Sequence, residues 1–194
     1  MAKHATTNGG NGWNGWRLGR WLAGLALLLT PAVMMRVTEG WQWGPVDFAL
    51  AAVMIFGTLA VYDAATRVAG GWAYRAGAAL ALAAMFLLVW ITLAVGIIGD
   101  PGNPLNTMYY GVIALGLAGA LAARFRPAGM ARALFVAAFA QAAVAGVALA
   151  AGPNEPPGAT GVLGLNLGFA LLLAVSGGLF RLAAGDGEAP QANQ

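Results

Sequence analysis

The sequence predicts an all-α membrane protein, a bundle of six transmembrane helices with both termini cytoplasmic. Three observations predict it. Apolar residues make up 60% of the 194-residue chain and charged residues only 9%, whereas typical soluble proteins carry about 25% charged residues. The apolar residues form six runs of about 20 residues, the length that crosses a bilayer as a helix. Nine of the ten basic residues border one side of this alternating series.

The six apolar runs define the predicted domain organisation. Residues 1–16 and 185–194 are expected to be flexible cytoplasmic tails, and residues 17–184 the transmembrane domain. Short connections rich in Gly and Pro separate the runs, so that consecutive helices are expected to be antiparallel. The predicted helices cover residues 18–37, 46–65, 76–98, 105–123, 133–151 and 161–180.

Prolines and polar residues mark several helix ends. Pro31 lies inside the first run and is expected to kink or end that helix. Asn106 or Thr107, and Thr160, are candidate N-caps. Three other prolines fall at or just before helix starts, where a missing N–H costs little; they are Pro45, Pro104 and Pro127.

The basic residues predict the orientation. Lys and Arg are retained on the cytoplasmic side during insertion, and only Arg36 lies on the other side of the series. The basic side is therefore predicted to be cytoplasmic, in a bacterial inner membrane. The nine residues on that side are Lys3, Arg17, Arg20, Arg67, Arg75, Arg124, Arg126, Arg132 and Arg181.

Composition excludes or disfavours several kinds of chemistry. Cysteine is absent, which excludes disulfides and thiolate ligands. The only histidine, His4, lies in the Gly/Asn-rich start of the chain, so His-ligated zinc or haem is disfavoured. The basic residues are spaced singly and form no nucleic-acid-binding run. No catalytic residue, cofactor or metal is predicted, and the expected partners are the lipid bilayer and a further protein or copy.

Two carboxylates lie near the ends of the second run. Asp63 and Arg67 share a helix face, which predicts an interfacial ion pair; the alternative is a proton or cation site. Asp47 lies in the first helical turn, where its charge favours the helix dipole. The alternative groups Asp47 with Asp100 and two glutamates as an acidic periplasmic mouth that concentrates cations; these glutamates are Glu39 and Glu155.

The densest polar run near a membrane boundary is GDPGNPLNTMYYG, residues 99–111. Its polar and aromatic side chains could line a pocket. The alternative is turn chemistry followed by an aromatic belt. The candidate pocket residues are Asp100, Asn103, Asn106, Tyr109 and Tyr110.

Uncharged polar and small residues lie deep in the last three runs. Gln141 and Asn166 are predicted to form hydrogen bonds between helices; the alternative is a functional site. Gly164 and Gly168 form a GxxxG pattern typical of close helix packing. Gly116 and Gly119 add a second pair of closely spaced glycines.

Three stretches carry a resemblance to a group of proteins. They are residues 43–62, WITLAVGIIGDPGNPLNTMYYG from Trp90, and ARFRPAGMARALF from Ala123. The chain resembles uncharacterised bacterial six-helix integral membrane proteins over most of residues 17–181. The resemblance implies a multipass inner-membrane protein and implies no activity or site residue.

Three functions fit these observations. The favoured interpretation is a non-enzymatic accessory or scaffold subunit of a membrane assembly. The alternative is a small transporter or channel for a cation or small solute with an acidic periplasmic mouth. A membrane enzyme acting on lipid is the third, and it lacks an identifiable catalytic set because the only serine, Ser176, has no histidine partner available.

Overall fold

The computed structural model describes residues 15–40, 42–152 and 156–186. Six α-helices and one short 3-10 helix make up the secondary structure of these residues. Each α-helix, the fourth together with the 3-10 helix before it, is long and apolar enough to span a membrane. The predicted all-α class with six candidate membrane spans is confirmed, whereas the cytoplasmic location of both termini stays a prediction. The helices are α1 (Gly15–Val37), α2 (Pro45–Val68), α3 (Trp72–Ala94), α4 (Thr107–Ala122), α5 (Pro127–Ala150) and α6 (Gly158–Asp186), with the 3-10 helix at Pro104–Asn106.

Several helix ends differ from the predicted ones. Helix α3 stops at Ala94 rather than at residue 98, because the chain turns at Gly96 and Gly99, which have φ values of +79° and +63°. Such values favour glycine. Helix α5 begins six residues early, at Pro127. Thr160 lies inside α6, so its predicted N-cap role is wrong.

Helix α1 continues through Pro31 to Val37, and the expected early end is wrong. The proline removes one backbone N–H donor. Ending the helix inside the hydrocarbon would leave several backbone groups without partners, at several kcal/mol each. The single lost hydrogen bond is therefore the smaller penalty.

The chain divides into two compact units, Met1–Ala60 and Val61–Gln194. In the first unit, α1 and the first part of α2 meet at Gly24, where a Cβ atom would lie 2.9 Å from Leu59 Cδ1. The rings of Trp21 and Phe56 stack beside this contact, with centroids 5.7 Å apart. A glycine at the crossing lets the two backbones approach closely.

In the second unit, α6 packs against both α3 and α5, and α4 packs against α5. The Ser176 hydroxyl on α6 donates a hydrogen bond to the Gly77 carbonyl on α3, with Oγ and O 2.7 Å apart. The ring of Phe180 packs edge-to-face on Tyr74, at 4.9 Å between centroids. One polar bond and one aromatic pair thus fix α6 against α3.

The connection between α4 and α5 has an unusual backbone. Arg124 and Phe125 both have positive φ, 49° and 58°, a conformation that costs a non-glycine residue roughly 1–2 kcal/mol. The Tyr74 hydroxyl on α3 donates to the Phe125 carbonyl at 2.7 Å. Phe125 is half-buried against the core, and these contacts hold the turn in place.

The predicted glycine pairs differ in their surroundings. A Cβ atom at Gly116 would lie 2.6 Å from Met85 Cε, and one at Gly119 would lie 2.5 Å from the Ala133 Cβ. Both glycines therefore allow close packing. Gly164 and Gly168 are exposed, and a Cβ atom there would meet nothing within 4 Å. Within the described residues, this GxxxG pattern is not used for packing.

Candidate functional site

Asp47 binds the backbone of its own helix start. Its Oδ2 atom accepts a hydrogen bond from the Gly44 N–H at 2.7 Å. A carboxylate at this end also favours the helix dipole. Asp47 and Glu39 are exposed and belong to the first unit, Asp100 belongs to the second, and Glu155 lies outside the described residues. The acidic periplasmic mouth therefore stays a prediction.

Asp63 is buried, at 7% exposure, near the end of α2. Its predicted ion pair with Arg67, which is exposed, stays a prediction. Helix α3 begins at residue 72 and ends before Asp100, and its 23 residues span about 35 Å at 1.5 Å each. Asp63 and Asp100 lie toward opposite ends of α3 and do not form one site.

Asn106 organises the α3–α4 turn, residues 95–106. Its side chain is 2% exposed. Its Oδ1 atom accepts hydrogen bonds from the N–H groups of Ile97 at 3.1 Å and Ile98 at 3.0 Å. Its Nδ2 atom donates to the carbonyls of Ile98 at 3.3 Å and Asp100 at 2.8 Å. Asn106 precedes α4 but makes no side-chain cap of it, since the amide is fully engaged with the turn.

The other polar side chains of this turn also bind backbone. Asp100 Oδ1 accepts from the Gly102 N–H at 2.6 Å, and Asn103 Oδ1 accepts from the Leu105 N–H at 3.0 Å. Both are Asx interactions typical of turns. A pocket of about 510 Å³ lies between this turn and the end of α5, where Ala148 and Gly152 line it. Of the five candidate pocket residues, only Asp100 and Asn103 line it. The turn chemistry is observed, and a functional site in this pocket stays a prediction.

Tyr109 points away from this turn and joins two side chains deeper in the helices. Asn166 Nδ2 on α6 donates to the Tyr109 hydroxyl at 3.0 Å and to the Val162 carbonyl at 2.8 Å. Gln141 Nε2 on α5 donates to Asn166 Oδ1 at 2.9 Å. All three side chains are fully buried. Tyr109, Gln141 and Asn166 are called the polar cluster below, whereas Tyr110 is 42% exposed.

The predicted hydrogen bonding between helices is confirmed by the contact of Gln141 with Asn166. Their positions in the sequence already indicated that these two residues could meet. Gln141 lies nine residues before the end of α5, and Asn166 lies eight residues after the start of α6. In antiparallel neighbours such positions have the same depth. The contribution of Tyr109 was not predicted, because it was assigned to the pocket at the turn.

The polar cluster is uncharged, which limits its chemistry to hydrogen bonding. Across the described ranges, no group of three or more His, Cys, Asp or Glu side chains could hold a metal ion. Amide and phenol groups bind small polar molecules, and they lack the strong base or nucleophile of a hydrolytic site.

Comparison of the chain with protein-family models, with curated proteins and with solved structures finds no match. The resemblance to six-helix bacterial membrane proteins is supported in its six spans, and no family is identified.

Proposed function

We propose that the protein is a non-enzymatic accessory or scaffold subunit that binds another membrane protein, or a second copy of itself, through one face of α6. The observation that carries this proposal is the open GxxxG face. Gly164 and Gly168 are exposed with no neighbouring atom within contact distance of a Cβ. Leu167 and Leu171, also exposed, continue the same face.

Membrane helices associate through close backbone approach rather than through the hydrophobic effect. A glycine pair one turn apart provides a groove for a partner helix. The opposite face of α6 is already committed to the core through Asn166, Phe169 and Leu173. The glycine face is therefore the part of α6 that is available to a partner without disturbing the fold.

Affinity purification in mild detergent tests this function. The wild-type protein should co-purify one defined membrane protein, or elute as an oligomer. Gly164→Leu with Gly168→Leu should abolish that association, because the two side chains fill the groove. Gly111→Leu is the matched control, since Gly111 is an exposed glycine of α4 that also has open space. A wild-type protein that purifies alone as a monodisperse monomer would contradict the proposal. Equal association in the wild type, the double-glycine variant and Gly111→Leu would also contradict it.

The proposed location is a bacterial inner membrane, with the α2–α3 connection on the cytoplasmic side. The nine-to-one distribution of basic residues supports this orientation. The chain contains no cysteine, so the labelling of a single introduced cysteine shows on which side of the membrane that position lies. A membrane-impermeant thiol reagent should label Pro101→Cys and spare Gly70→Cys, both at exposed positions. The reverse pattern would overturn the orientation.

A second candidate function is passage of a cation or small solute. The pocket of about 510 Å³ beside the exposed Asp100 favours it. Flux into proteoliposomes should then fall in Asp100→Asn, while Pro101→Ala, an exposed neighbour, leaves it unchanged. Flux that is absent, or indifferent to Asp100→Asn, removes this candidate.

A further inference from the structure

Gln141 carries a polar atom that the fold leaves without a partner. Its side chain is 0% exposed, and its Oε1 atom accepts no hydrogen bond from any residue in the described ranges. A buried acceptor without a donor is strongly unfavourable. Native interiors satisfy such atoms with protein groups or with ordered water.

The orientation of the Gln141 amide is fixed by its neighbours. The Val162 carbonyl can only accept a hydrogen bond, so the Asn166 atom 2.8 Å from it is the Nδ2 donor. Asn166 therefore presents Oδ1 to Gln141, and Gln141 must present Nε2 in return, at 2.9 Å. Exchanging the Gln141 amide atoms would place two acceptors together. Its Oε1 thus remains the atom without a donor.

Tyr109 supplies a complementary group in the same cluster. Asn166 Nδ2 donates to the Tyr109 hydroxyl oxygen at 3.0 Å. The phenolic proton therefore points away from Asn166 and can be donated elsewhere. The cluster offers one acceptor, Gln141 Oε1, and one donor, the Tyr109 hydroxyl, both held by the Asn166 amide.

We propose that the polar cluster is a binding site for one small neutral molecule that donates a hydrogen bond to Gln141 Oε1 and accepts one from the Tyr109 hydroxyl. Water is the smallest molecule with this chemistry, and a buried water needs two to four such partners. A diffusible amide or alcohol of a few atoms has the same chemistry. The inference is independent of the partner face on α6, which lies on the other side of that helix.

The position of the site suggests its route of access. Leu105 and Ala148 line the pocket at the α3–α4 turn. Leu105 precedes Tyr109 by one helical turn, and Ala148 lies two turns from Gln141 on the same face of α5. Ile97 and Ile98 are buried in this turn, which Asn106 fixes by hydrogen bonds. The pocket side is therefore the approach that lies one to two helical turns from the polar cluster.

Nuclear magnetic resonance of the full chain in detergent micelles, labelled with ¹⁵N-glutamine, tests the site. The chain has four glutamines, and the signal missing from Gln141→Met identifies the Gln141 amide. We expect a cross-peak between the protons of this amide and water. Its sign shows whether it arises from cross-relaxation with a bound water or from proton exchange. Addition of formamide distinguishes the ligand sources: a peak that persists identifies resident water, and a peak that moves to formamide identifies an exchanging solute.

The matched variants are Tyr109→Phe and Tyr110→Phe, which remove a hydroxyl from neighbouring residues. Only the first should weaken the cross-peak, by about threefold or more, because the ligand then keeps one polar partner instead of two. A folded wild-type protein whose Gln141 amide is visible but shows no cross-peak to either molecule overturns the proposal. Equal weakening in both tyrosine variants also overturns it.

Discussion

Replacing Asn106 by alanine should destabilise the protein more than replacing Asn103, the other asparagine of the α3–α4 turn that binds backbone through its side chain. The variant leaves the N–H groups of Ile97 and Ile98 without their acceptor, and both residues are at most 2% exposed. The Asp100 carbonyl keeps a partner, because it also accepts from the Asn103 N–H. The Ile98 carbonyl also loses its hydrogen bond from Asn106 Nδ2, which is the longest of the four at 3.3 Å. Two buried donors therefore dominate the loss.

The magnitude follows from those two groups. Each buried unsatisfied N–H costs about 1–3 kcal/mol, and water from the adjacent pocket reduces the loss. We expect about 2–4 kcal/mol in total, or about 4–16 °C in Tm for a chain of this size. Asn103→Ala is the control, since it removes one cap from Leu105 and should cost about 1 kcal/mol.

Thermal unfolding in mild detergent, followed by tryptophan fluorescence, measures both variants under the same conditions. The reasoning is refuted if Asn106→Ala lowers Tm by no more than Asn103→Ala does. That result would mean that the turn rearranges to pair Ile97 and Ile98 without the Asn106 amide.

Two further predictions use the same measurement. Tyr74→Phe removes the donor to the Phe125 carbonyl and should lower stability by about 1–2 kcal/mol; an unchanged Tm would show that the packing of Phe125 alone holds this turn. Gly96→Ala should destabilise, because its Cβ would lie 2.6 Å from the Asp100 carbonyl carbon at a φ of +79°. Gly111 lies in open space on α4, so Gly111→Ala should instead stabilise the protein by up to about 1 kcal/mol. A Tm shift in the same direction for Gly96→Ala and Gly111→Ala would contradict the argument.

The sequence was sufficient to predict the six spans, because hydrocarbon thickness fixes how long an apolar run must be. The pairing of Gln141 with Asn166 was also predictable, since an isolated polar group in the bilayer interior needs a partner. Turn geometry was not predictable to the same degree. Asn106 was expected as an N-cap, but its amide instead binds residues eight and nine positions earlier, a contact that depends on the path of the turn.

The side-chain direction of Tyr109 was also beyond sequence reasoning. It follows a dense polar run, which favours a role in the same pocket. In the structure Tyr109 is fully buried and Tyr110 is 42% exposed. Adjacent helical residues point about 100° apart, so one residue of register decides which tyrosine enters the core. That register depends on where α4 begins after the 3-10 helix.

The position of Asn166 and Ser176 on α6 has a consequence for biogenesis. Asn166 binds side chains of α4 and α5, and Ser176 binds the backbone of α3. A ribosome delivers α6 after these three helices. Until then, Gln141 and Tyr109 lack their partner from α6 in a medium that offers no replacement. Helix α6 therefore completes the contacts of α3, α4 and α5, and a chain stalled before α6 leaves the Gln141 Nε2 donor without its Asn166 acceptor.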